Sequence, residues 1–205
     1  MKSEQNATKR RLLVSVTDKS GLEKLGILVC NGWEIISTGG TAKQFTALEI
    51  PCIPVEDVTN FPEMLDGRLK TLDPRLFGGT LAVRDNKRHM QEIAKYDIGP
   101  IDLVIINLYD FKSKPSIENI DIGGPSHVRA AAKNGKFVTV VVDPDDYDRV
   151  ILEIIRTGDT CLKTREKLTA KAFRHTADYD TMIACWMVNK LADGEPLFED
   201  SPVTH

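Results

Sequence analysis

Five short apolar runs recur along the chain without polar alternation, and helical stretches separate them. They are Arg11–Val16, Glu34–Ser37, Cys52–Val55, Leu103–Leu108 and Val138–Val142, with Thr80–Val83 as a further candidate. A strand with one wet face alternates; a strand apolar throughout is covered on both faces. Strands separated by helices pair in parallel, because a parallel neighbour can be reached only by a crossover. The chain is therefore predicted to be an α/β domain with a mostly parallel sheet between helical layers. Helices are expected over about 20–30, closed by Asn31-Gly32, over 41–49, over 86–95, and from the Asp143-Pro144 start to about Arg156, stopped by Gly158. Residues 163–191 read as one long helix or two joined ones, and the tail from Asp193 as an irregular arm.

A length of 205 residues accommodates one large domain, read as an α/β core over 11–158 and a helical extension over 159–198. Lys and Arg number 27 against 30 Asp and Glu, so there is no global basic footprint for nucleic acid. No apolar run approaches the ~18 residues of a membrane span, and the polar, basic first residues do not form a secretory signal. These features point to a cytoplasmic protein. Cys30, Cys52, Cys161 and Cys185 lie far apart and read as reduced, partly buried thiols. Neither they nor His89, His127, His175 and His205 show metal-ligand spacing.

In open α/β sheets ligands bind beyond the carboxyl ends of the strands. Three polar clusters follow strands here: Ser15 with Thr17 and Lys19, the turn Thr38-Gly39-Gly40-Thr41, and Asn107 with Tyr109. The glycine turn runs straight into a helix, so bare N–H groups and two hydroxyls face the approach of an anion, which suits a phosphate monoester. Lys19 on a neighbouring loop adds charge. Arg68 and Lys70 lie one residue apart in an irregular stretch that ends Thr71-Leu72-Asp73-Pro74. Asp121 precedes a second glycine pair, Gly123-Gly124, and a helix that starts near Pro125 and carries Arg129 and Lys133 on one face.

Taken in order, Ser15-Val-Thr-Asp-Lys19-Ser-Gly21, Ser37-Thr-Gly-Gly-Thr-Ala-Lys43, Phe61-Pro-Glu-Met-Leu-Asp-Gly-Arg68-Leu-Lys70-Thr71, Asn107-Leu-Tyr109 and Asp121-Ile-Gly-Gly-Pro-Ser-His-Val-Arg129-Ala-Ala-Ala-Lys133-Asn134 resemble the inosine-monophosphate cyclohydrolase domain. That domain is usually the N-terminal half of a bifunctional purine-biosynthesis enzyme whose other half is a formyltransferase. Lys171-Ala-Phe-Arg-His175-Thr-Ala-Asp-Tyr179 resembles the end of the same domain. The resemblance spans about residues 11–198. It implies a methylglyoxal-synthase-like three-layer fold with C-terminal helices, a homodimer, and no cofactor or metal. The implied reaction closes formyl-aminoimidazole carboxamide ribotide to inosine monophosphate with loss of water.

By the same resemblance Lys70 sits at the formyl oxygen, supported by Tyr109, and Asp121 with Lys133 handles the carboxamide proton. Backbone N–H groups around Arg68 to Lys70 would form an oxyanion hole. Ser15, Thr17, Lys19 and Thr38 to Thr41 would hold the phosphate. Arg68, Thr71, Asn107, Gly123 and Gly124 would complete the substrate site. The helix between Asp121 and Lys133 is ~15 Å long at 1.5 Å per residue, so their contact requires a fold-back or a bridging substrate. The chain departs from the family at Asp73 and Phe77, where histidines are usual, and in a short loop over 111–120 with Asp110 where proline is common. Asp73 is expected either to be drawn to the cations of its loop or simply to cap or turn the chain before Pro74. The 205 residues hold no second domain, so the chain is expected to be either a naturally monofunctional cyclohydrolase, with a separate formyltransferase as a possible partner, or an excised domain. Two other readings share the fold: a phosphate-eliminating synthase acting on a triose phosphate, and a regulatory nucleotide-binding domain like that of carbamoyl-phosphate synthetases. Neither needs Lys70, Asp121 and Lys133 together.

Overall fold

The computed structural model describes residues 9–198. Five strands form one sheet: β1 (Arg11–Ser15), β2 (Glu34–Ser37), β3 (Ile53–Pro54), β4 (Leu103–Ile106) and β5 (Thr139–Val141), in the order β3-β2-β1-β4-β5. Every pairing is parallel, with Leu13 opposite both Ile36 and Val104. Successive strand residues feed opposite cores. Leu12, Val14, Leu103 and Ile105 enter one; Leu13, Val104, Ile106 and Val140 enter the other. This two-sided burial is the reason the strands carry no polar alternation.

The helices are α1 (Gly26–Cys30), α2 (Gly39–Ala47), α3 (Val55–Thr59), α4 (Pro74–Leu81), α5 (Lys87–Lys95), α6 (Gly123–Lys133), α7 (Tyr147–Thr157) and α8 (Leu162–Ala192). The 31 residues of α8 form one continuous helix, packed on α6 and β5. Gly158, at φ 85°, ends α7 in the left-handed conformation that glycine adopts freely. The first predicted helix is split into a 3₁₀ turn, Leu22–Leu25, and α1.

Thr80–Val83 is not a strand. Asp73 accepts the Arg75 N–H at 2.7 Å, Pro74 occupies the first turn, and α4 runs through Thr80. Thr80 is β-branched, but its hydroxyl donates to the Leu76 carbonyl one turn back at 3.0 Å, which suits it to a helix. Three of the four cysteines are exposed and only Cys52 is half-buried, fewer than the partly buried thiols expected. No described helix is long and apolar enough to cross a membrane.

Candidate active site

The strand order reverses direction between β1 and β4, and a crevice opens beyond the carboxyl ends of these two strands. The loop after β1 is fastened on both sides. Asn107, just past β4, accepts the N–H groups of Thr17 and Asp18 at 2.6 and 2.9 Å and donates to the Asp18 carbonyl at 3.0 Å. Its amide oxygen and one of its two Nδ2 hydrogens thus shape the loop. On the other side Ser15 and Thr38 share a 3.0 Å hydroxyl contact, and the buried Thr41 hydroxyl binds the Val16 N–H at 3.1 Å.

These bonds decide the character of the turn into α2. The Thr38 hydroxyl is turned toward Ser15 and makes no cap bond, so the first-turn N–H groups at Gly39 and Gly40 are left for a ligand. Gly39 sits at φ 26°, and a Cβ on Gly40 would meet nothing within 4 Å, so the approach is open. Lys19 donates to Val16 O and, at 3.3 Å, to Thr41 Oγ1. Burial draws its ammonium below the usual lysine value, against the pull of Asp18. The structure therefore brings Ser15, Lys19 and Thr38 to Thr41 together, as the sequence suggested.

The opposite wall is the loop over 61–73 and the start of α6. Met64 and Leu69 pair across a tight bridge, with bonds of 3.0 and 3.2 Å. Leu65 and Asp66 both adopt positive φ, at 56° and 52°, a conformation costly for side-chain-bearing residues. The bridge consumes N–H groups: Leu69 donates to Met64 and Arg68 to Leu65. An oxyanion hole built from the Arg68–Lys70 amides is therefore not formed in this loop. Arg68 is ion-paired to Glu118 on the surface. Lys70 instead faces the crevice, 3.7 Å from Glu63. The Glu63 carboxylate also lies 3.8 Å from where a Cβ on Gly39 would sit, so it stands between Lys70 and the phosphate turn.

Asp121 is held from three directions. Its Oδ1 accepts the Gly124 N–H at 2.8 Å, so that amide is not bare; its own N–H donates to the Tyr179 hydroxyl at 2.9 Å. Burial pushes the Asp121 carboxyl above the ordinary carboxylate range, opposed by the N–H groups of Gly124 and Tyr109 and by the Lys70 charge. Glycine is obligatory behind it: a Cβ on Gly124 would fall 2.4 Å from Asp121 Oδ2, and one on Gly123 2.7 Å from the Thr71 hydroxyl. The buried Thr71 thus lies close against the start of α6. Tyr109 is partly exposed at the rim. Helix α6 begins at Gly123, so Pro125 is its third residue and not its first.

Lys133 ends α6 and is exposed, ten residues beyond Gly123 or ~15 Å along the helix. Among the described residues it forms no ion pair with Asp121, from which the length of α6 separates it. Asp73 likewise forms no ion pair with Arg68 or Lys70; its carboxylate caps α4. With Lys70, Thr59 and Phe61 it lines a pocket of about 170 Å³. Glu63 and Tyr179 are the site neighbours that the sequence reading left without a role. Both lie inside motifs quoted above, but a glutamate in a loop and a tyrosine in a long helix give no local sign of what they face. Phe77 stacks at 4.5 Å on His127, whose Nε2 lies 3.0 Å from the Thr80 hydroxyl; full burial holds this imidazole at a pKa of about 4. It is a neutral core group.

A doubly wound parallel sheet with an uncapped glycine turn at its switch point defines the class: an open-sheet α/β domain with helices on both faces. Residues 22–126 match the MGS-like domain, and the chain belongs to that family. Residues 131–202 match the AICARFT/IMPCHase bienzyme family. The bifunctional purine biosynthesis protein PurH of Listeria monocytogenes serotype 4b is 53% identical over 193 residues, 88% of this chain and 37% of that protein. The protein of the same name from Bacillus cereus is 48% identical over 92% of this chain and 39% of its own length. The chain thus spans well under half the length of these relatives. A crystal structure of ForH superposes with a TM-score of 0.78 at 33% identity, covering 86% of this chain and 97% of that one.

Proposed function

We propose that this chain is an IMP cyclohydrolase, acting in purine biosynthesis on formyl-aminoimidazole carboxamide ribotide. The observation that carries the proposal is the juxtaposition of a raised-pKa carboxyl, Asp121, with the Lys70 ammonium beside an uncapped glycine turn. The substrate phosphate sits at the first turn of α2 with Lys19. The carboxamide N–H loses a proton to Asp121, whose raised pKa suits it to accept one. The nitrogen attacks the formyl carbon, forming the C–N bond, and Lys70 receives the charge developing on oxygen with Tyr109 beside it. Loss of the second N–H proton and departure of hydroxide as water leave the C=N bond of the product. Both reacting groups belong to one molecule, so the protein contributes chiefly rotamer and electrostatic preorganisation.

Lys133 stays in the proposed set on its sequence match alone. Pairing into a homodimer, a cytoplasmic location and supply of substrate by a separate formyltransferase rest on the resemblance. The test is an absorbance assay of inosine monophosphate formation from the formylated ribotide. Lys70→Ala is expected to lower kcat by ~10²–10³-fold while product affinity changes little, since the oxyanion exists only near the transition state. Equal losses in rate and affinity would reassign Lys70 to substrate binding, and no turnover by the unmodified chain would remove the function.

A further inference from the structure

The catalytic crevice is not the only concave site. A cleft of about 610 Å³ opens at the opposite end of the sheet, where β1, β4 and β5 begin. Its volume falls within the ~300–1,000 Å³ of small-molecule sites. Its electrostatics are unbalanced. Among the described residues five cations line it, Lys9, Arg10, Arg84, Lys136 and Arg165, against two carboxylates, Asp102 and Asp159; the two lysines are paired just outside it with Glu34 and Asp85.

The surplus resides in the arginines. Arg84 is fixed by neutral acceptors only: Nη1 donates to Ala82 O at 2.5 Å, and Nη2 to Gly79 O and Ile101 O at 2.9 and 2.8 Å. No carboxylate touches it. Arg10 and Arg165 share Asp159, at 3.2 and 3.4 Å, and Arg10 also meets Asp102 at 3.4 Å. The Nε–H groups of Arg84 and Arg165 find no acceptor among the described residues. Three guanidinium groups thus share two carboxylates, and the positive charge of Arg84 is left without an ion-pair partner among the described residues, a preorganised arrangement for phosphate or carboxylate oxygens. Phe137 and Leu162 add apolar wall beside them, with room for a ring.

We propose that this cleft is a second ligand site, for a small phosphorylated metabolite with an apolar or planar body, of nucleoside-monophosphate size. It is separate from the crevice that holds Lys70 and Asp121, because the two lie at opposite ends of the same strands. The β1 strand alone places them ~13 Å apart at about 3.3 Å per residue step.

The two sites can be read separately by backbone-amide NMR titration of the whole chain. The probes are inosine 5′-monophosphate, inosine and inorganic phosphate. The nucleotide is expected to shift two groups of amides, Gly39–Thr41 at one end and Arg84, Phe137 and Leu162 at the other. Inosine alone should shift neither group, and inorganic phosphate should shift the cleft group only at ~10-fold higher concentration, lacking the apolar body. Arg165→Gln, and on the exposed rim Lys136→Gln, should each weaken the cleft response about fivefold and leave Gly39–Thr41 unchanged. Nucleotide shifts confined to Gly39–Thr41, inorganic phosphate as potent as nucleotide, or a cleft response untouched by both substitutions would each overturn the proposal. Silence at Gly39–Thr41 with a cleft response would instead count against the catalytic reading alone.

Discussion

Asp121 shows how one residue's environment sets both its chemistry and its cost. Burial raises its pKa, so the folded chain holds the protonated form more tightly than the unfolded chain does. The stability this gives is fully present below the ordinary carboxylate value of 3.8 and is lost as pH rises through the folded value. At neutral pH the raised value therefore acts against stability. Asp121→Asn keeps an acceptor for the Gly124 N–H and removes the charge. It is expected to raise the melting temperature near neutral pH, to leave it unchanged in acid, and to lower cyclisation by ~10²-fold or more. Calorimetry at two pH values, beside the absorbance assay, checks the sign. Asp73 is the contrasting case. As a helix cap without contact to Lys70, it should tolerate Asp73→Asn with activity within about tenfold, while Asp73→Ala costs ~1 kcal/mol of stability in denaturant unfolding.

Among the elements, α2 was the most legible in the sequence, because two glycines and two threonines after an apolar run leave few alternatives to a strand–turn–helix. Gly40→Val puts a branched side chain over the open amide and is expected to weaken nucleotide affinity ~10-fold or more, read by calorimetry in a folded variant. The five strands were legible for the same local reason. Helix α4 was not: Thr80 and Val83 carry strand propensity, and the Asp73-Pro74 start that outweighs it is a two-residue signal. The wall formed by residues 61–73 was recognisable by motif yet not in its geometry. Which amides it spends depends on the Met64–Leu69 bridge, a pairing with no periodicity to announce it. Tyr179 and Glu63 escaped for a related reason, since their partners lie across the chain, 58 residues away for Tyr179 and Asp121.

At the scale of the whole molecule, one sheet serves two ends. Its carboxyl end carries the hydroxyls, glycines and acid of the crevice, and its amino end the arginine-lined cleft. The central strand β1 joins them, with no polar side chain between Arg11 and Ser15. Buried apolar layers cover both faces of the sheet between the two ends, so it is distance along the strands and the solvent around the domain, not the hydrocarbon itself, that weakens the interaction of charges at one end with those at the other.

The placement of the crevice between β1 and β4 also sets an order of events for a newly made chain. Thr17 and Asn107, which clasp one another across it, are 90 residues apart. The phosphate turn can form once β1, β2 and α2 have emerged, all within the first 47 residues. The setting of the Asp121 carboxyl must wait for Asp121 and then for Tyr179, far down the last helix. Closing so long a loop adds an entropic barrier before the contacts that reward it exist, so the glycine-turn side of the crevice is assembled early and the Asp121 side late. Trp33 lies in the core on one face of the sheet and Trp186 packs against the core on the other, which gives each face its own fluorescent witness during refolding.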